Sequence, residues 1–111
     1  MKVLVLGVGA VGTVSALKFS QDAMVEQLVI ADALPGRAQE LADRIGRPHV
    51  RALTLDAGNR ATLAQALRDT GTTILLNAAL PATNLIVMRA CLDAGCDYID
   101  MASGGAENDG T

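Results

Sequence analysis

Residues 1–12 read MKVLVLGVGAVG, and the parsing of this stretch decides the architecture. Val3 to Leu6 is an uninterrupted apolar run with no polar alternation, the pattern of a strand buried on both faces. Gly7 ends the run, and from Ala10 to about Ser20 the residues Val14 and Leu17 fall on one helical face. A secretory signal can also begin with a cation ahead of an apolar run, as Lys2 does here, but its apolar region is helical. Gly7, Gly9 and Gly12 would each weaken such a helix by about 1 kcal/mol relative to Ala. The opening is therefore read as strand, tight turn and helix.

The same alternation continues outward from this unit. Leu28 to Ile30 is a second apolar run ending at Asp32, and Pro35 suits the first turn of a new helix. Ala38, Leu41, Ala42 and Ile45 then recur at i, i+3, i+4, i+7, opposite Arg37, Gln39, Glu40, Asp43 and Arg44. His49 to Leu55 alternates well enough for a third strand nearer an edge. Asn59 is an N-cap candidate for a helix carrying Leu63, Ala66 and Leu67, with Gly71 at its left-handed end. Thr72 to Leu76 predicts a fourth strand. A helix from about Thr83 to Ala94 follows, apolar around most of its circumference and so expected to be buried on more than one side, and Tyr98 to Met101 predicts a fifth strand. Strands alternating with helices and joined by right-handed crossovers make an α/β, doubly wound parallel sheet, Rossmann-like, with five strands in the order 3-2-1-4-5. One domain is expected over residues 1–103, and residues 104–111, which lack apolar periodicity, read as an unstructured or truncated tail.

The glycine turn gains chemical meaning from this placement. Gly7, directly after a strand, can take the tight turn; Gly9 lets the backbone approach a pyrophosphate; Gly12 sits where helix and strand pack closely. The free N–H groups around Ala10 and Val11, with the helix dipole behind them, favour the negative charge of a dinucleotide. A glycine-rich turn that merely packs is the structural alternative. Asp32 lies 20 residues beyond Gly12 at the end of the second strand, where an acid accepts hydrogen bonds from the adenosine ribose. A 2′-phosphate would meet that carboxylate as a like charge, so the expected cofactor is NAD in preference to NADP. Arg37 could swing toward a 2′-phosphate, but beside Glu40 it reads first as a solvated helix-face charge.

Two more strand ends reach the same crevice, because ligands of open α/β sheets bind outside the carboxyl ends of the strands. Asp56 and Ala57 end strand three; the acid either accepts from the adenine amino group or simply begins the turn before Asn59. Asn77, Ala78 and Ala79 end strand four, small enough for close passage of the nicotinamide ribose or pyrophosphate, with turn stabilisation as the other role for Asn77. No residue declares itself as a catalytic acid, base or nucleophile. His49, the sole histidine, falls at the start of strand three, away from the crevice, while Tyr98 and Asp100 lie nearer it.

Composition narrows the partners. A net charge of -3, a pI near 4.9, no Trp, one Tyr and one Phe argue against nucleic acid, which rewards clustered cations and stacking platforms, and against an anionic membrane. The chain is read as cytoplasmic. Cys91 and Cys96 have no His or further Cys nearby to complete a metal site, so no metal is expected and both read as small core hydrophobes rather than a disulfide. An open sheet edge beside strand five offers a route to self-association.

VLVLGVGAVG at the start, Asp32, NAALP at 77–81 and ACLDAGCDYIDMA at 90–102 together resemble the N-terminal nucleotide-binding domain of the saccharopine dehydrogenase-like family, over essentially residues 1–103. The resemblance implies an NAD(P)-dependent oxidoreductase acting on a carbon–nitrogen bond of an amino acid or polyamine. It also implies a second domain, beyond this one, that supplies the substrate contacts and a homodimer interface. On that reading the present chain binds cofactor without turning over substrate. The alternative function is a regulatory module that senses NAD(H) without catalysis.

Overall fold

The computed structural model describes residues 1–100 of the chain, and all five strands lie within them. In chain order they are β1 (Lys2–Leu6), α1 (Ala10–Gln21), β2 (Gln27–Asp32), α2 (Arg37–Ile45), β3 (Val50–Thr54), α3 (Arg60–Thr70), β4 (Ile74–Asn77), a single 3₁₀ turn (Pro81–Thr83), α4 (Asn84–Ala94) and β5 (Asp97–Asp100). The sheet is parallel throughout, in the order β3-β2-β1-β4-β5. This is the expected Rossmann-like arrangement, with β3 at one edge. The tail predicted at 104–111 lies outside the described residues.

Central strands between two helical layers explain the unbroken apolar runs. Val3 and Val5 enter one core, with Leu28 and Ile30 of β2 and with Ala16, Ala38 and Leu41 from α1 and α2. Leu4 and Leu6 enter the other, with Val29, Leu75, and Leu63, Leu67 and Val87 from α3 and α4. Neither face of β1 meets water, so alternation in the sequence would have been destabilising. Arg60 of α3 and Asp93 of α4 form a bidentate pair at 2.6 and 2.7 Å, and the hydrogen bond from Arg60 holds the Asp93 carboxyl below the usual carboxylate range. The pair is solvated and contributes little to stability.

The start of α2, the start of β4 and the burial of α4 differ from the sequence reading. α2 begins at Arg37 instead of Pro35, because Gly36 at φ +86° takes the residue ahead of the helix out of helical geometry. β4 begins at Ile74 instead of Thr72, because the Thr72 N–H turns back to the Leu67 carbonyl and completes the end of α3 at Gly71. α4 buries Val87, Ala90 and Cys91, yet among the described residues nothing covers Leu85, Met88 and Leu92, which are 57%, 44% and 79% exposed. No helix of the described residues is long and apolar enough to cross a membrane.

Candidate dinucleotide site

The carboxyl ends of β1, β2, β3 and β4 open into a cavity of about 420 Å³, walled by the glycine turn, Asp32, Arg37, Asp56 and the Ala78–Ala79 backbone. This is the size range of small-molecule sites, about 300–1,000 Å³. A more open groove of about 500 Å³ lies between β3 and α3, but no glycine lines it, and the start of α3 beside it is already capped by the Asn59 side chain.

Each glycine meets a different constraint. Gly7 has φ +102°, and a Cβ there would stand 2.9 Å from the backbone of Ala78 and Ala79. A Cβ on Gly12 would stand 1.8 Å from the Gly7 carbonyl oxygen, so helix α1 rests directly on the turn. Gly9 is the opposite case: a Cβ would meet nothing within 4 Å and would project into open space. Gly9 caps α1 without a side-chain hydrogen bond, and the first turn carries no acidic residue. Ala10 and Val11 are exposed there. The open side of Gly9 and an uncapped helix start make a cradle suited to phosphate oxygens.

Asp32 is nearly buried, 9% exposed, and both its carboxylate oxygens accept backbone hydrogen bonds. Oδ1 accepts the Val8 N–H at 2.9 Å and Oδ2 the Leu34 N–H at 3.0 Å. Arg37 does not point away with the polar face of α2: its Nη2 donates to the Val8 carbonyl at 2.6 Å, and the side chain lines the cavity. The peptide units on either side of Val8 are thus held by an acid and a base, an arrangement that spacing alone did not reveal. The signal that could have exposed it is a cation opening the helix immediately after the strand-two acid.

This brace has a measurable consequence. In Asp32→Ala the buried Val8 N–H and the Leu34 N–H lose their acceptor, at about 1–3 kcal/mol each. Thermal unfolding of the variant is expected at least about 4–8 °C lower, and NADH and NADPH binding should weaken together. A variant with unchanged Tm and weakened NADH binding alone would make Asp32 a pure ribose reader.

The remaining predicted positions divide. Ala57, Ala78 and Ala79 line the cavity. Asp56 also lines it, while its Oδ1 accepts the Gly58 N–H at 2.8 Å, so the turn role is realised at the cavity wall. Asn77 is fully buried beneath the wall, with Nδ2 donating to Asn84 Oδ1 and Tyr98 Oη, and Oδ1 accepting the Ala79 N–H. Val8, Leu34, Leu80 and Thr83 also line the cavity and were not singled out in the sequence, having no feature that separates them from ordinary turn residues. His49 sits just before β3, with its carbonyl accepting the Leu28 N–H, at the opposite end of the sheet.

A parallel 3-2-1-4-5 sheet with an uncapped, glycine-approached helix start at its carboxyl rim defines a nucleotide-binding domain of the doubly wound class. The family described as saccharopine dehydrogenase NADP binding domain matches residues 3–109, and the chain belongs to it. The carboxyaminopropylagmatine dehydrogenase of Synechocystis sp. is 36% identical over 102 residues, which are 92% of this chain and 26% of that protein. The carboxynorspermidine synthase of Vibrio alginolyticus is 25% identical over 109 residues, 90% of this chain and 26% of that protein. The chain therefore spans about a quarter of the length of these curated relatives. Among solved structures, the Saccharomyces cerevisiae saccharopine dehydrogenase (L-Glu forming) superposes with a TM-score of 0.77 at 19% identity, covering 95% of this chain and 22% of that one. The NAD-bound UDP-glucose-4-epimerase of Stenotrophomonas maltophila gives 0.73 at 20% identity, covering 90% and 36%. Both likenesses establish the fold.

Proposed function

We propose that this chain binds a nicotinamide dinucleotide across the carboxyl rim of its sheet, as the cofactor-binding part of an oxidoreductase acting on a carbon–nitrogen bond of an amino acid or polyamine. The dinucleotide supplies the hydride chemistry. The chain's own part is to seat the pyrophosphate at Gly9 and the start of α1, with the adenosine end between Asp32, Arg37 and Asp56. The single observation that carries this reading is the open side of Gly9 above an uncapped helix, set in the same cavity as Asp32 and Arg37. The names of the two curated relatives, both concerned with carboxyalkylated polyamine-type molecules, support the substrate class. In a protein as long as the two curated relatives, substrate chemistry would be supplied by residues outside this domain. Turnover by this chain alone is not expected.

For the 2′ position the proposal moves from NAD toward NADP. The preference for NAD rested on the Asp32 carboxylate repelling a 2′-phosphate; that charge is partly offset by the Val8 and Leu34 N–H groups it accepts, and Arg37 lines the same cavity. Arg37 spends one nitrogen on Val8 and keeps further donors at the cavity wall, in reach of a 2′-phosphate. Titration of the chain with NADH and NADPH, followed by the fluorescence of the reduced nicotinamide, tests both levels. NADPH should bind more tightly, and Arg37→Ala should weaken NADPH by about 1.5–3 kcal/mol, roughly ten- to hundredfold, beyond the smaller loss that NADH shares from freeing the Val8 carbonyl. Equal losses for the two would remove Arg37 as the 2′ reader; no enhancement with either, in folded chain, would remove the cofactor reading itself.

A further inference from the structure

Below the Ala78–Ala79 wall, four polar side chains from three elements come together in a ring-like cluster. Asn77, at the end of β4, donates from Nδ2 to Asn84 Oδ1 at 2.9 Å and to Tyr98 Oη at 3.1 Å. Asn84, the first residue of α4, donates from Nδ2 to Asp100 Oδ2 at 2.7 Å, and the Asp100 carboxyl lies near enough to Tyr98 on the same strand to help raise the pKa of its hydroxyl, which burial raises most. Asn77 is fully buried, so each of its amide functions must find a partner or incur a desolvation cost, and all of them do. Its remaining function, Oδ1, accepts the Ala79 N–H at 3.0 Å. That last bond leaves the ring and reaches the cavity wall.

The wall it holds is in contact with the glycine turn. The Ala78 N–H donates to the Leu6 carbonyl at 2.8 Å, and the Ala78 and Ala79 backbone stands 2.9 Å from where a Gly7 Cβ would be. Register places Asn77 between Leu6 of β1 and Asp100 of β5, so the residue joins β1 by backbone pairing and β5 and α4 through its buried amide. The bond to Ala79 ties the buried amide to the wall over which the half of the ligand beyond the pyrophosphate would pass.

We propose that Asn77, Asn84, Tyr98 and Asp100 act as positioning residues for the nicotinamide half of the bound dinucleotide, through the Ala78–Ala79 backbone and without touching the ligand. The inference rests on the dinucleotide reading above. It distinguishes the two ends of the ligand: loosening the ring moves the wall by Ala79 but leaves Asp32 and Arg37 in place.

Two variants test it, neither of which removes the fully buried amide: Tyr98→Phe, which keeps the packed ring, and Asn84→Ala. Calorimetric titrations of the 111-residue chain with NADPH and with 2′,5′-ADP, which carries only the adenosine end, are compared with the unaltered chain. Both variants should bind NADPH about tenfold more weakly and 2′,5′-ADP unchanged. A fall in Tm with the ratio of the two affinities preserved, or no change in either affinity, would reduce the ring to a folding brace and overturn the inference. If the unaltered chain binds neither NADPH nor NADH, the dinucleotide reading fails and takes this inference with it. That result is distinct, because it appears before any variant is made.

Discussion

Among the glycines of the described residues, Gly12→Ala is expected to be strongly destabilising, with the tightest Cβ overlap of them all. The new Cβ would stand 1.8 Å from the Gly7 carbonyl oxygen and within 2.9 Å of its carbonyl carbon, and both are backbone atoms that no rotamer change can move aside. Alanine raises helix propensity by about 1 kcal/mol over glycine, but this gain is smaller than the overlap it creates. Either α1 lifts from the sheet or the turn at Gly7 opens, and Gly7 is itself confined by φ +102° and by the Ala78–Ala79 backbone. A loss of about 3 kcal/mol or more follows, lowering Tm by roughly 12–24 °C for a domain of this size. Circular dichroism during heating measures it. Retention of the parent Tm would mean that α1 can shift freely over β1, and the close packing assigned to this glycine would be wrong.

Gly9→Ala should do the reverse. The residue has φ -94°, which alanine adopts without strain, and its Cβ would meet no atom of the chain within 4 Å. The Tm should stay within the equivalent of about 1 kcal/mol of the parent, the small preference for glycine over alanine at a helix cap being offset by a stiffer unfolded chain. Dinucleotide binding should fall by at least about a hundredfold, near 2.7 kcal/mol, because the methyl group stands where the pyrophosphate must approach backbone N–H groups. Titration with NADPH reads the loss directly. A folded Gly9→Ala chain that binds NADPH as tightly as its parent would show that the ligand does not lie against this turn. The two substitutions add the same atom three residues apart, and their opposite outcomes separate packing from binding.

Much of this architecture was legible because it follows from short-range rules. The unbroken run Val3–Leu6 could only belong to a strand covered on both faces, and it is covered by the two cores. Gly71 and Gly95 marked helix ends by their left-handed conformations, as Asn59 marked a start with its side chain accepting the Thr62 N–H. Spacing alone also led to Gly7, Gly9 and Asp32, since strand and helix lengths vary little within this unit. The resemblance carried by residues 77–81 and 90–102 pointed to the family that the match over residues 3–109 establishes.

What spacing could not convey was direction and partnership. Arg37 belongs by period to the polar side of α2, yet Gly36 swings the start of that helix so that the guanidinium reaches back to Val8. Asp32 carried the right charge at the right distance, but that each of its oxygens accepts a backbone N–H depends on where the Val8 and Leu34 N–H groups stand. Asn77 was legible as a strand end next to a turn; that it is buried at the centre of a ring drawn from α4 and β5 depends on register, which pairs it with Leu6 on one side and Asp100 on the other. By itself, then, the sequence determined the order of elements, the parallel sheet and the glycine turn, because these follow from local conformational preference and from the burial of apolar faces. Only the tertiary structure decided which polar atoms meet at the rim, because hydrogen bonds between residues far apart in the chain depend on strand register and helix orientation to within an ångström, a precision that no pattern of residue types encodes.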